Sequence, residues 1–383
     1  MPTELNIGLS FLGCHRRGGV ERTVFEYARY LASREHRVTV FANEWEADHT
    51  QPSIQYRYVP LRRHPAPLRA VSYLKSCTRV MQGTTFDVLN THGVICPFDG
   101  VHRVQSVHRD WLEQSRRHRK PFSLASIKQR FNPMHPAILK LEARHFRERR
   151  YRKVIVLTNH VREVLNRYYG VPFDDIEIVP NGFAPEEFAP DIRAARRGKV
   201  REELGLKRDD IVLLFVAHEL QRKGYATILG AIARLGRKDV RLLVVGRNDS
   251  SQVARMAAQA NVAEFVINCG STADVAGYHA AADLFVLPTQ YEAFCLAILE
   301  ALGSGVPVIT SSVPGARDAI LPGINGDIIQ NPDDPQELAL TLQPYLDAAY
   351  RDHISQQTPA TVEAYKWHNT MRRYEEILRQ NAG

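Results

Sequence analysis

Two glutamates, Glu292 and Glu300, lie close to the start of one predicted helix and are the residues best placed for chemistry. The segment Thr289–Ile309 follows a buried strand, Leu284–Leu287, and opens a helix near Phe294–Leu296. The free N–H groups at a helix start attract anions and suit a pyrophosphate. From that position Glu300 would accept hydrogen bonds from the paired hydroxyls of a ribose, and Glu292 would reach a hydroxylated group beyond the phosphates. The alternative is that both are solvated helix charges.

These residues need a scaffold, and the hydrophobic pattern predicts one. Short apolar strands alternate with segments of helical periodicity along both halves of the chain, which indicates parallel sheets. In the second half the predicted strands are 211–216, 240–245, 264–267, 284–287 and 306–310. A polar stretch, 183–198, is predicted to be a linker between two domains. The fold class is therefore α/β, with two Rossmann-like doubly wound domains facing a central cleft and a terminal helix that packs back on the body. The predicted domains are residues 1–180, residues 181–362 and a terminal helical segment, residues 363–383.

The composition excludes several classes of protein. The chain has 383 residues, of which 44% are apolar and 24% are charged, as in ordinary globular proteins. No apolar run approaches the ~18–20 residues of a membrane-spanning helix, and the N-terminus has no signal-peptide pattern. The five cysteines are scattered without a CxxC pair, which predicts reduced thiols, a cytoplasmic location and no zinc site.

The net charge of +8 is concentrated in one segment. Fifteen Lys and Arg residues stand against four acidic residues between Arg103 and Lys153, and residues 109–153 are predicted to be helical, with aromatic residues interleaved. This segment would suit an anionic membrane surface or a phosphorylated lipid acceptor, which would make the protein peripheral on the inner face of the plasma membrane. The alternative is a solvated charged face. No nucleic-acid-binding module is recognisable.

The Thr289–Ile309 segment resembles the E-x7-E element of retaining GT-B glycosyltransferases, in particular glycosyltransferase family 4. The family pattern is E-G/A-F-G-L, three residues, E-A and then G-x-P-V, and this sequence departs from it in having Cys295 where glycine is usual. The resemblance covers nearly the whole chain. It includes a Gly-Gly loop at Gly18 and Gly19, Val-Pro-Asn-Gly at 179–182, and Gln-Arg-Lys-Gly at 221–224.

The resemblance implies a role for each candidate site residue. It implies that Arg222 and Lys223 clamp the donor pyrophosphate, that Glu292 orients the donor sugar, and that Glu300 binds the ribose. The resemblance also implies that His108, at a strand end, contacts the donor sugar, which completes the catalytic set. The expected donor-binding residues are Gly18, Gly19, Gly246, Gly270, Phe294, Cys295, Leu296 and Glu300.

The function implied is that of a retaining glycosyltransferase. It would move a sugar from a nucleotide-sugar, with a UDP-hexose expected, to a saccharide or lipid-linked acceptor in bacterial lipopolysaccharide, capsule or exopolysaccharide synthesis. No cofactor and no metal are expected, because the helix dipole and the cation pair would neutralise the leaving diphosphate. The alternatives are a non-hydrolysing nucleotide-sugar epimerase of the same architecture and a catalytically inactive GT-B scaffold.

Overall fold

The structure is a computed structural model that describes residues 4–16, 18–62, 66–97, 99–117 and 124–383. The chain divides into two compact units. The first contains residues 1–181 and 368–383, and the second contains residues 182–367.

The first unit is built on a parallel sheet of seven strands in the order β5-β3-β1-β6-β7-β8-β9, with a small two-stranded sheet, β2-β4, beside it. Its strands are β1 (Asn6–Ser10), β2 (Gly13–Cys14), β3 (Arg37–Ala42), β4 (Glu44–Trp45), β5 (Gln55–Tyr58), β6 (Val88–His92), β7 (Val101–Val104), β8 (Lys153–Val156) and β9 (Ile176–Ile178). Its helices are α1 (Gly19–Ser33), α2 (Ala66–Met81), α3 (His108–Arg117), α4 (Leu124–Arg130), α5 (Met134–Arg147) and α6 (Asn159–Tyr169). In this sheet β1, β3, β7 and β8 are largely buried on both faces, as expected where helices cover a parallel sheet, whereas the edge strand β5 is mostly exposed.

The second unit has a parallel sheet of six strands in the order β12-β11-β10-β13-β14-β15. The strands are β10 (Ile211–Val216), β11 (Val240–Val245), β12 (Val266–Gly270), β13 (Leu284–Leu287), β14 (Val308–Ser311) and β15 (Gly326–Ile329). The helices are α7 (Pro190–Glu203), α8 (Tyr225–Leu235), α9 (Ser250–Gln259), α10 (Val275–Ala281), α11 (Leu296–Gly303), α12 (Pro314–Arg317), α13 (Pro335–Leu342) and α14 (Ala348–Gln357). The strand order reverses between β10 and β13. In open parallel sheets, ligands bind at the carboxyl ends of the strands beside such a reversal.

The terminal helix α15 (Trp367–Gln380) packs within the first unit. The ring of Tyr374 stacks on that of Tyr27 in α1 with the centroids 3.9 Å apart, and its hydroxyl donates to Oδ1 of Asn90 in β6 at 2.7 Å. Glu375 accepts a hydrogen bond from the Tyr30 hydroxyl at 3.0 Å. The helix is therefore held by both stacking and polar contacts.

The structure corrects the predicted linker. Residues 183–198 were predicted to be a linker between two domains, but Pro190–Glu203 form helix α7 inside the second unit. Proline is favoured in the first turn of a helix, and the Ala- and Arg-rich run that follows has high helix propensity. Two arginines of α7 bind the end of helix α10. Arg197 Nη1 donates to the Ala282 carbonyl at 2.9 Å, and its Nη2 donates to Asp283 Oδ1 at 2.6 Å. Arg201 Nη1 donates to the Ala281 carbonyl at 3.1 Å. Tertiary contacts thus add to the local preference.

Two predicted strands are displaced along the sequence. The strand expected at 264–267 is β12, Val266–Gly270, because Ala263–Phe265 form a turn of 3-10 helix. The strand expected at 306–310 is β14, Val308–Ser311, because Pro307 has no N–H for the sheet ladder. Element existence was predicted correctly in both cases, and only the ends moved.

Where the structure describes it, the basic segment is mostly helical, as α3, α4 and α5, with turns between α4 and α5 and before β8. Among the predicted basic and aromatic contributors, Arg119, Lys120 and Phe122 lie outside the described residues. Phe131 is 76% exposed and Ile127 is 46% exposed, so apolar surface accompanies the positive charge. Within the part of the chain that the structure covers, every helix is too short or too polar to cross a membrane.

Candidate active site

The candidate site of the second unit lies on the loops that follow β10 and β13, on either side of the strand-order reversal. Two hydrogen bonds join these loops: Gln290 N–H donates to the Arg222 carbonyl at 2.9 Å, and the Thr289 hydroxyl donates to the same oxygen at 3.3 Å. Gly224 has φ +83°, and a Cβ there would lie 2.0 Å from the Pro288 carbonyl oxygen. Glycine is required at this point because the loops pass too close for a side chain.

Arg222, Lys223 and Glu292 form one charge cluster on these loops. Arg222 Nη1 lies 3.2 Å from Glu292 Oε1, and Lys223 Nζ donates to the same oxygen. Arg222 also donates to the Tyr291 carbonyl at 2.5 Å and, through Nε, to Glu219 Oε2 at 2.7 Å. The Lys223 and Glu292 side chains are only 13% and 12% exposed. The alternative of a solvated surface charge is therefore wrong for Glu292.

The electrostatics of the cluster follow from these contacts. Burial lowers the pKa of Arg222, but the hydrogen bond to Glu219 and the charge of Glu292 outweigh it, so the net pKa is raised. The hydrogen bond from Arg222 lowers the pKa of Glu219. Together with Glu219, the cluster therefore contains two cations and two carboxylates. An incoming anion can replace the carboxylate oxygens as the partner of the cations.

The start of α11 lies beside this cluster. Cys295 is the N-cap residue, and its side chain makes no capping hydrogen bond. Burial raises the pKa of the Cys295 thiol to about 11, with the charge of Lys223 opposing, so the thiol is uncharged near neutral pH. Phe294 precedes the cap, where Gly315 packs so closely that a Cβ would lie 2.6 Å from the Phe294 Cα. The helix start therefore presents N–H groups without a competing acidic cap, as an anion site requires.

Glu300 lies one turn inside α11 and is buried, with 5% of the residue exposed. Its Oε2 is 3.8 Å from Nε2 of His279, a fully buried histidine on α10. The alternative of a solvated helix charge is therefore wrong for Glu300 as well. His279 was missed by sequence reasoning, because a histidine on an apolar helix carries no motif of its own.

Gly246 and Gly270 meet at the carboxyl ends of β11 and β12. Gly246 N–H donates to the Gly270 carbonyl at 2.8 Å. Gly246 has φ +143°, and a Cβ there would lie 1.9 Å from the Ala217 carbonyl oxygen at the end of β10. Close by, the Arg247 N–H donates to His218 Nδ1 at 3.0 Å. Because the strands are parallel, these carboxyl ends lie on the same side of the sheet as the loop after β10 that carries Arg222 and Lys223.

The first unit holds the remaining predicted residues. Gly18 is the N-cap of α1 with φ +104°, and a Cβ there would lie 2.6 Å from Oε2 of Glu21. Gly19 is the first residue of that helix, with open space where a side chain would be. Both residues follow the carboxyl end of β1, which neighbours β6 at the point where the strand order of this sheet reverses.

His108 begins α3 in a cluster with two further aromatic residues. Its Nε2 lies 3.0 Å from Nδ1 of His135, and its ring stacks on Trp111 with the centroids 5.4 Å apart. Burial, together with His135, lowers the pKa of His108 to about 4, so the imidazole is neutral near pH 7. The backbone N–H of His108 donates to Oε1 of the buried Glu142 at 2.5 Å. His135 and Glu142 were not predicted, since they lie 27 and 34 residues after His108 in the sequence.

The structure therefore brings together Arg222, Lys223, Glu292 and the start of α11, with Glu300 one turn further into the helix. His108, Gly18 and Gly19 belong to the first unit. Within the described residues, no three His, Cys, Asp or Glu side chains are arranged to hold a metal ion.

Two family profiles match the chain. The one described as Glycosyltransferase Family 4 matches residues 17–187, and the one described as Glycosyl transferases group 1 matches residues 196–360. A crystal structure of WaaG, a glycosyltransferase involved in lipopolysaccharide biosynthesis, has a TM-score of 0.84 at 22% identity and covers 97% of this chain and 99% of that one. Anabaena HepE in complex with UDP and glucose has a TM-score of 0.75 at 18% identity and covers 98% and 99%.

The matches to curated relatives cover a smaller share of each protein than the structural matches do. WaaG of Escherichia coli, a lipopolysaccharide glucosyltransferase, is 24% identical over 324 residues, 84% of each protein. An uncharacterized glycosyltransferase of Methanocaldococcus jannaschii is 27% identical over 223 residues, and the match spans only 57% of each protein's length.

The two-unit architecture and the family profiles define an enzyme class, the glycosyltransferases of GT-B fold. Within that class the chain belongs to glycosyltransferase family 4, which confirms the family and the α/β GT-B fold expected from the sequence.

Proposed function

We propose that this protein is a retaining glycosyltransferase that moves a hexose from a UDP-hexose to a saccharide or lipid-linked acceptor of a bacterial surface polysaccharide or lipopolysaccharide. The observation that carries the proposal is the cluster of Arg222, Lys223 and Glu292 beside the start of α11. HepE binds UDP and glucose, and WaaG acts in lipopolysaccharide synthesis; both share the fold.

The cluster suits the hard step of the reaction, the departure of a nucleoside diphosphate from an anomeric carbon. Negative charge develops on the β-phosphate oxygen, and fixed donors aimed at it lower the barrier. Arg222 and Lys223 supply two cations, and the N–H groups at the start of α11 supply a third source of positive potential. The diphosphate takes over the cations from Glu292, whose carboxylate then accepts hydrogen bonds from hydroxyls of the hexose.

Retention is expected by front-face attack, with the leaving phosphate accepting the proton of the acceptor hydroxyl. Oε1 of Glu292 is already bound by both cations, which disfavours its attack on the sugar as a nucleophile. The anomeric configuration of the product, read by NMR from the proton coupling at C1, tests this proposal. An inverted product would overturn the retaining assignment and leave the transferase assignment intact.

Two experiments test the donor. A thermal-shift series across UDP, GDP, ADP and their sugars should give the largest stabilisation with UDP compounds, because a ligand raises stability by RT ln(1 + [L]/Kd). Slow release of UDP from a UDP-hexose without acceptor separates the enzyme from an inactive scaffold. Isomerisation of the donor without transfer would indicate the epimerase alternative. Since Arg222 and Lys223 supply the positive charge, we expect full activity in excess EDTA.

The acceptor side is proposed to work at the inner face of the plasma membrane. In the described part of segment 109–153, the exposed Ile127 and Phe131 lie among basic residues that include Lys128 and Arg130. Basic residues near an anionic leaflet contribute about 1 kcal/mol each, and apolar side chains add burial in the interface. Flotation with liposomes should give binding that needs anionic lipid and weakens with salt. Absence of association at low salt would remove the membrane proposal.

A further inference from the structure

His279 is a buried polar residue that the proposed reaction does not yet use. It lies on α10, is fully buried, and neither ring nitrogen has a hydrogen-bond partner within the described structure. Its ring stacks on Phe285 with the centroids 5.8 Å apart and meets Phe188 edge-on at 5.5 Å. Buried polar groups without partners are rare in folded proteins, and each one calls for a physical explanation.

The histidine faces one of the proposed donor-binding residues. Its Nε2 lies 3.8 Å from Oε2 of Glu300, which is too far for a hydrogen bond. Shortening this distance by about 0.8 Å would complete one. The ring is confined by the two phenylalanines, whereas the terminal torsion of a glutamate is soft. Movement of the carboxylate is therefore the easier way to make this contact.

The chemistry of the pair differs from that of the cation cluster. Burial lowers the pKa of His279 to about 3, so its imidazole is neutral at physiological pH. A neutral N–H donor can fix the direction of a carboxylate without cancelling its charge. Arg222 and Lys223, in contrast, form ion pairs with Glu292. A carboxylate oxygen has two lone-pair directions, so Glu300 can accept an N–H from behind and still accept hydroxyls in front.

We propose that His279 is a positioning residue for nucleoside binding, whose Nε2–H holds the Glu300 carboxylate in the orientation that accepts the ribose hydroxyls. This inference rests on the proposed function, in which Glu300 binds the ribose. It assigns His279 no contact with the substrate. Its effect should therefore depend on the ribose hydroxyls and be absent for a nucleotide that lacks them.

The test compares a nucleoside diphosphate with its 2′,3′-dideoxy analogue by calorimetry, using whichever of UDP, GDP and ADP gives the largest thermal shift. Wild-type protein should bind the dideoxy compound more weakly. His279→Phe keeps an aromatic ring between the phenylalanines, and it should weaken the ribonucleotide about 5- to 10-fold while leaving dideoxynucleotide affinity unchanged. His279→Gln restores an N–H donor and should recover part of the loss. In Glu300→Ala, the further change His279→Phe should have no effect on affinity.

Control experiments distinguish a failure of the role assigned to His279 from a failure of the proposed function. His102→Phe removes another fully buried histidine, one in the first unit, and should lower thermal stability without altering either affinity. Equal weakening of both nucleotides by His279→Phe, or no weakening, would overturn the positioning role alone. If His279→Phe does not fold, His279→Gln and His279→Leu give the same comparison. Wild-type protein that binds none of the three nucleotides would overturn the proposed function, and the role of His279 with it.

Discussion

Replacing Lys223 by methionine removes one of the two cations proposed to stabilise the leaving diphosphate. Lys223→Met keeps the length and most of the apolar contact of the side chain. At about 4 Å and an effective dielectric constant of about 20, one charge pair interacts by about 4 kcal/mol. Loss of one fixed donor to a developing oxyanion typically costs about 3–4 kcal/mol, or ~10²–10³ in rate. We therefore expect kcat for UDP release from a UDP-hexose to fall by that factor.

The same contacts predict a small effect of Lys223→Met on stability. Glu292 keeps Arg222 at 3.2 Å after the substitution, so no buried carboxylate is left without a cation. A loss of about 1 kcal/mol would lower Tm by ~2–4 °C for a unit of this size. Lys223→Arg should retain much of the activity, because it keeps the charge.

A matched control is available on the same unit. Lys199 is 80% exposed and pairs with Glu203 one turn along α7 at 3.8 Å, so Lys199→Met should alter neither rate nor Tm. A folded Lys223→Met protein whose kcat at saturating donor stays within 5-fold of wild type would refute the role assigned to this cation.

Three further outcomes are expected. Glu292→Ala should slow transfer at least 10-fold in enzyme assays. Its nucleotide affinity, measured by calorimetry, should hold or rise, because the carboxylate that competes for the cations is gone. Transfer within a few-fold of wild type would contradict the role of Glu292. Gly246→Ala should lower the free energy of unfolding in urea by about 3 kcal/mol, because its Cβ would lie 1.9 Å from a backbone carbonyl oxygen. Gly236 has φ +61° and open space around it, so Gly236→Ala should lower the same free energy by only about 1 kcal/mol. The buried imidazoles of His108 and His279 have pKa values lowered to about 4 and about 3, so the unfolded chain binds protons first and stability should fall as the pH drops from about 6.5 towards 4. Thermal melts across that range should show a shallower fall in His279→Phe, and an unchanged slope contradicts this account.

The sequence predicted the sheet-forming elements well, and the physical reason is local. Strands buried on both faces are nearly continuous apolar runs, so Ile211–Val216, Val240–Val245 and Leu284–Leu287 have the bounds expected from the sequence. Helix α7 was missed because its helical preference competes with a polar composition typical of linkers. Its arginines gain partners at the end of α10 only in the folded unit.

For the candidate site, the sequence by itself determined which residue types are present and where the chain turns. Glu292 and Glu300 are eight residues apart, and a loop followed by one helix suffices to place them near each other. The sharing of one Glu292 oxygen by Arg222 and Lys223 was decided only by tertiary structure, because those residues lie about 70 positions away. The approach of His279 to Glu300 is likewise a contact between two packed helices. Periodicity reports which face of a helix is buried, but the partner on the other side is set by how the helices pack.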